Sequence, residues 1–85
     1  MKSVTIYTTD YCPYCRRAEA FLEQQQIPFK QIDVTGNDKM REKLVEMSDG
    51  RTTVPQIFVG EKPIGGFTDM MALHRTGEFE ALLKD

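Results

Sequence analysis

Hydrophobic and polar positions along the chain switch between two periods, and each switch marks an element. Val4-Thr5-Ile6-Tyr7-Thr8 is apolar and β-branched, as a buried strand is. After the polar break Thr9-Asp10 the spacing turns helical. Cys15, Ala18, Phe21 or Leu22 and Gln25 share one face of a helix predicted over residues 13–26. Pro13 stands in its first turn, where a missing N–H matters least, and Ile27-Pro28 closes it. Phe29-Lys30-Gln31-Ile32-Asp33-Val34 alternates as a half-buried strand does, and should run parallel to the first through a right-handed crossover.

Asn37 is a good N-cap for a second helix carrying Met40, Leu44 and Met47 on one face, stopped near Asp49-Gly50. Gln56-Ile57-Phe58-Val59 reads as a strand, Gly60-Glu61-Lys62 as a tight turn and Pro63-Ile64 as its antiparallel partner. Gly65-Gly66 ends this hairpin. Thr68 is expected to cap a third helix through His74, Gly77 to interrupt it, and Phe79, Leu82 and Leu83 to form a last short helix. The order β-α-β-α-β-β-α predicts an α/β fold, a four-stranded mixed sheet flanked by helices on both faces.

At 85 residues the chain has room for one core, so a single domain over 1–85 is expected. A formal net charge of −2, with neither a basic stripe nor an acidic tail, argues against nucleic acid or an anionic membrane as partner. No apolar stretch approaches membrane-spanning length, and the N-terminal residues lack the three regions of a signal peptide. A cytoplasmic location is expected, and that compartment keeps thiols reduced. Two cysteines spaced C-x-x-C beside a strand–helix–strand pattern then read as a redox pair.

Disulfide exchange needs a thiolate that attacks and a route that resolves the mixed disulfide. An unperturbed cysteine ionises near 8.5, so only roughly 3% is thiolate at pH 7. Cys12, placed to cap the first helix, meets unpaired N–H groups and a partial charge of about +0.5. Arg16 and Arg17 add positive charge and Asp10 opposes them. Such a position can bring a thiol to about 3.5–7.5. A fall of three units raises the thiolate fraction roughly thirtyfold, while intrinsic nucleophilicity falls about twentyfold. The larger gain is to Cys12 as a leaving group. Cys15, one turn further in, should be more buried and keep its proton, within disulfide reach of Cys12. Two inert core cysteines, or half a zinc site with distant His74, are the alternatives; zinc usually wants four ligands, so no metal is expected.

Cys12-Pro13-Tyr14-Cys15, Thr53-Val54-Pro55 and Gly65-Gly66-Phe67-Thr68-Asp69 together strongly resemble a dithiol glutaredoxin of the small bacterial type. The resemblance covers essentially the whole chain, with the motifs in the family's order and spacing. It implies a thioredoxin-like fold, a cis Pro55 facing the thiols, and glutathione as co-substrate. Val54 would pair with the cysteinyl portion of glutathione by strand addition. Thr68 and Asp69 would hold its γ-glutamyl end, Gly66 would let the chain come close, and Tyr14, Thr53, Pro55 and Phe67 would line the same groove. Without the resemblance, Gly65-Gly66 reads only as a turn and Thr68 and Asp69 only as a cap and a first-turn acid. His74 is expected at or near the surface, with no catalytic duty.

Many relatives carry a lysine three residues before the first cysteine, where this chain has Thr9. Arg51, or Lys39 or Arg41 of the second helix, stands in as the contact to the glycyl carboxylate. The expected activity is glutathione-dependent thiol-disulfide exchange, on protein disulfides and glutathionylated proteins, by a monomer. Two alternatives stay open, recycling by thioredoxin reductase and carriage of an iron–sulfur cluster between two protomers, the second disfavoured by Pro13. Ribonucleotide reductase is a substrate in the family that nothing in this sequence selects.

Overall fold

The strand nearest the N-terminus lies inside the sheet. β1 (Val4–Thr8) pairs in parallel with β2 (Phe29–Asp33) and antiparallel with β3 (Gln56–Val59), and β4 (Lys62–Gly65) completes the order β2-β1-β3-β4. These relationships come from a computed structural model that describes residues 2–84, so Met1 and Asp85, the limits of the expected domain, lie outside the described residues. The mixed sheet predicted from the element order is the one found. The exposed flank of β4 accommodates Pro63, which has no N–H to donate.

Alternation along the strands divides the core in two. Val4, Ile6, Ile57 and Val59 face α1 (Pro13–Gln24), α3 (Phe67–Thr76) and α4 (Glu78–Leu83), packing with Ala18, Leu22, Met70 and Phe79. Tyr7 and Phe58 point to the other face, where they meet Val34 and Leu44 of α2 (Asp38–Met47). Helices therefore cover both faces, as expected.

Several boundaries depart from the sequence reading; α3, for one, runs to Thr76, two residues past His74, before Gly77 stops it. α1 ends at Gln24, two residues early. Gln26 adopts a left-handed φ of 59°, its N–H donates to the Glu23 carbonyl, and the Ile27 N–H donates to that of Leu22. This is a Schellman stop without a glycine, with Leu22 and Ile27 both buried in the same core cluster. Gln25 is consequently exposed rather than on the buried face. α3 begins one residue before Thr68: Gly66 is the N-cap, and Asp69 reaches back to accept the Gly66 N–H at 2.9 Å. β2 ends at Asp33, and Val34 beyond it is fully buried, its N–H held by the Thr8 carbonyl.

Candidate active site

The turn between β1 and α1 places both sulfurs at the carboxyl end of the central strand. Cys12 is the N-cap of α1, with extended backbone (φ −102°, ψ 108°) that folds its side chain over the first turn. Pro13 at the first helical position fixes that entry and gives up an N–H that no helical carbonyl could have met. Cys12 Sγ accepts the Cys15 N–H at 3.1 Å, and its thiol donates to the Val54 carbonyl at 3.6 Å. One sulfur thus has a backbone donor on one side and a backbone acceptor on the other.

Both cysteines are free thiols, Cys12 with 9% of its surface exposed and Cys15 with none. Burial pushes the Cys15 thiol up to about 12, and its hydrogen bond with Cys12 acts in the same direction. A backbone hydrogen bond from Thr9 and the Arg16 charge pull against this without overcoming it. Cys15 holds its proton at neutral pH, as its place one turn inside predicted.

The two arginines after the thiols are engaged elsewhere. Arg16 donates to the Thr9 carbonyl at 3.2 Å and pairs with Glu19 at 3.2 Å, bracing α1 against the end of β1. Arg17 lies over the Tyr14 ring, 5.2 Å from its centroid. Thr9 is fully buried, and its hydroxyl has no partner among the described residues.

Beside Cys12 runs a groove of about 310 Å³. One wall is Thr53, Val54 and Pro55, with the Val54–Pro55 bond cis. The other is Gly66, Phe67, Thr68 and Asp69 at the start of α3, and Tyr14 closes one end with its ring 6.1 Å from that of Phe67. All eight groove residues named from the sequence meet here, and Cys12 joins them through Val54. Gly66 stands so near the opposite wall that a Cβ there would lie 3.4 Å from the Pro55 carbonyl. The first-turn N–H groups of α3 have no helical acceptor, and the Asp69 carboxylate stands beside them.

Arg51 and Gln56 also line the groove. Arg51 was one of three candidate cations; Arg41 instead donates to the Thr52 carbonyl at 3.1 Å, and neither it nor Lys39 reaches the groove lining. From the sequence Gln56 reads only as a strand residue. A polar residue opening the apolar run Ile57-Phe58-Val59 signals that Gln56 is unusual but not what it holds. Tyr11, 70% exposed, lies outside the groove. His74 is half-buried, its Nδ1 2.6 Å from Glu80, and takes no part. Among the described residues no three His, Cys, Asp or Glu side chains converge as a metal site would require.

A sequence model of the family described as glutaredoxin matches residues 4–64. The chain is 45% identical to glutaredoxin 3 of Escherichia coli K12 over 84 residues, 99% of this chain and 100% of that one. Among solved structures it resembles the glutaredoxin of Brucella melitensis, with TM-score 0.85 and 42% identity over 99% of this chain and 90% of that one. It also resembles a buckwheat glutaredoxin–glutathione complex, with TM-score 0.87 and 29% identity over 94% and 74% of the two chains.

Proposed function

The chain belongs to the glutaredoxin family, and on that premise we propose that Cys12 attacks, Cys15 resolves and the adjoining groove seats glutathione. The observation that carries this reading is Cys12 Sγ, which accepts the Cys15 N–H and opens onto main chain at Val54 that belongs to no strand. In thiol-disulfide exchange the Cys12 thiolate attacks the glutathione sulfur of a glutathionylated protein. The S–S bond breaks, the protein sulfur leaves and takes a proton, and Cys12 carries glutathione as a mixed disulfide. A second glutathione thiolate attacks the glutathione sulfur of that mixed disulfide, releases oxidised glutathione and restores the Cys12 thiolate. With a protein disulfide, Cys12 forms a mixed disulfide with the protein. Cys15 then loses its proton and attacks Cys12 Sγ, expelling the reduced protein, and two glutathiones reduce the resulting Cys12–Cys15 disulfide.

Within the groove, the proposed seat pairs the cysteinyl main chain of glutathione with Val54. Its γ-glutamyl carboxylate meets the first-turn N–H groups of α3 at Thr68 and Asp69, its ammonium meets the Asp69 carboxylate, and its glycyl carboxylate meets Arg51. Tyr14, Thr53, Pro55, Gly66 and Phe67 shape the walls. The proposed partners are glutathione and disulfide-bearing or glutathionylated proteins, ribonucleotide reductase among the family's substrates. The proposed form is a monomeric single domain. The cytoplasm suits it, because a dithiol recycled by glutathione needs a reducing compartment.

The test separates the two sulfurs. Cys12→Ser abolishes reduction of both substrate classes. Cys15→Ser keeps deglutathionylation and loses reduction of protein disulfides. A Cys15→Ser protein fully active on protein disulfides overturns the assignment.

A further inference from the structure

Residues 51–54 lie outside every helix and strand and, among the described residues, make no backbone–backbone hydrogen bond, yet their four successive carbonyls are all occupied. Ser48 Oγ donates to the Arg51 carbonyl at 3.2 Å, and Arg41 donates to that of Thr52 at 3.1 Å. Gln56 Nε2 donates to that of Thr53 at 2.7 Å, and the Cys12 thiol donates to that of Val54 at 3.6 Å. Four side chains from three different parts of the fold thus hold a segment that lies outside every strand. Thr53 and Val54 also line the groove.

From this we infer that Gln56 is a positioning residue for glutathione, the one of the four that sets Thr53 and Val54 against the groove. The inference rests on the glutathione-binding reading above. Gln56 makes the shortest bond of the four and also donates to Thr53 Oγ1 at 3.4 Å. Its backbone is fixed by pairing with Tyr7 of the central strand, whereas Thr53 lies outside any strand, so the side chain ties a loop to a rigid post. A carbonyl only accepts, so the bond to Thr53 sets the amide with Nε2 toward the loop. Oε1 is then turned away, buried and without a donor among the described residues, in a side chain 1% exposed. An unpaired buried acceptor opposes folding, and an apolar side chain of similar size would avoid that penalty. Stability alone does not call for an amide here; the hold on Thr53 does.

Replacing Gln56 by Met keeps the length and removes the donor. The expected result is a KM for a glutathionylated peptide raised about tenfold, the scale of one well-placed hydrogen bond. The expected kcat changes less than threefold and the melting temperature does not fall, a split between KM and kcat that general damage does not produce. Gln56→Leu, which also removes the donor, should raise KM as well. In the wild-type protein, amide exchange followed by NMR reads the bond directly: a Gln56 side-chain proton should exchange far more slowly than those of exposed Gln24. An unchanged KM in Gln56→Met, a parallel loss of KM, kcat and stability, or fast exchange of the Gln56 amide each overturns the inference. A wild-type protein that treats glutathionylated and other mixed disulfides alike overturns the functional reading instead, and the exchange measurement still judges the hold on Thr53.

Discussion

The thiol of Cys12 donates to the carbonyl of Val54 at 3.6 Å, so the main-chain acceptor nearest the reacting sulfur is occupied while that sulfur carries its proton. Once the proton leaves, or the sulfur enters a disulfide, the carbonyl is free to accept from a bound peptide. Attack and peptide pairing are thereby linked through one oxygen. A serine at position 12 keeps a donor on that oxygen, and an alanine removes it. Cys12→Ala should therefore bind reduced glutathione more tightly than Cys12→Ser by about fivefold, one hydrogen bond's net contribution. Calorimetric titration of the two variants measures this, and equal affinities would break the proposed link.

Cys15 makes stability depend on alkaline pH. Its thiol is pushed from the ordinary 9.0 to about 12 in the folded protein, chiefly by burial. Between those values the unfolded chain has released this proton and the folded one has not. Folding then retains a proton that the unfolded chain has lost, so stability falls as pH rises. The contribution is whole below pH 9 and is lost progressively toward pH 12. Urea unfolding of the reduced protein should show this decline relative to Cys15→Ala, in which the group is absent. Parallel curves for the two proteins across that range would refute the assignment.

Gly65 and Gly50 both have left-handed backbone, with φ of 109° and 92°, but different surroundings. A Cβ at Gly50 would meet nothing within 4 Å, whereas one at Gly65 would strike the Asp69 carboxylate. Gly50→Ala should lose about 1–2 kcal/mol, the left-handed penalty alone. Gly65→Ala should lose roughly 1 kcal/mol more, because the displaced carboxylate no longer caps the Gly66 N–H, and it should weaken glutathione binding. Denaturant midpoints for the pair test the difference, and equal losses would contradict it.

What the sequence disclosed follows from how local each determinant is. Cys12, Pro13 and Cys15 fall within four residues, so a helix start with two thiols on one side was legible from spacing alone. Ile6, Ala18, Leu22 and Ile57 carry periodicities that assign strand or helix, and the short connections then leave few topologies. Gln26 was not legible, because a left-handed stop without glycine depends on Ile27 finding Leu22 in the core. Thr68 was mistaken for a cap for a related reason. Gly66 has no side chain to announce the role, and the signal lay three residues on, in an acid able to reach back. Gln56 and Thr53 meet only once the chain turns at Pro55, and no residue-by-residue pattern marks a side chain that holds a neighbouring loop.

Asp69 has two duties that substitution can separate. One carboxylate oxygen accepts the Gly66 N–H at 2.9 Å and starts α3; its negative charge is the proposed partner of the glutathione ammonium. An asparagine keeps a carbonyl oxygen for Gly66 but has no charge, and an alanine keeps neither. Asp69→Asn should thus fold with stability within about 0.5 kcal/mol of the parent, while binding glutathione about tenfold more weakly. Asp69→Ala should show the same weakening and lose about 1 kcal/mol of stability as well, the usual effect of removing a helix cap. Thermal melts and glutathione titrations on both variants check the two duties independently. Equal melting temperatures for the asparagine and alanine proteins would remove the capping role, and parental affinity in Asp69→Asn would remove the charge contact.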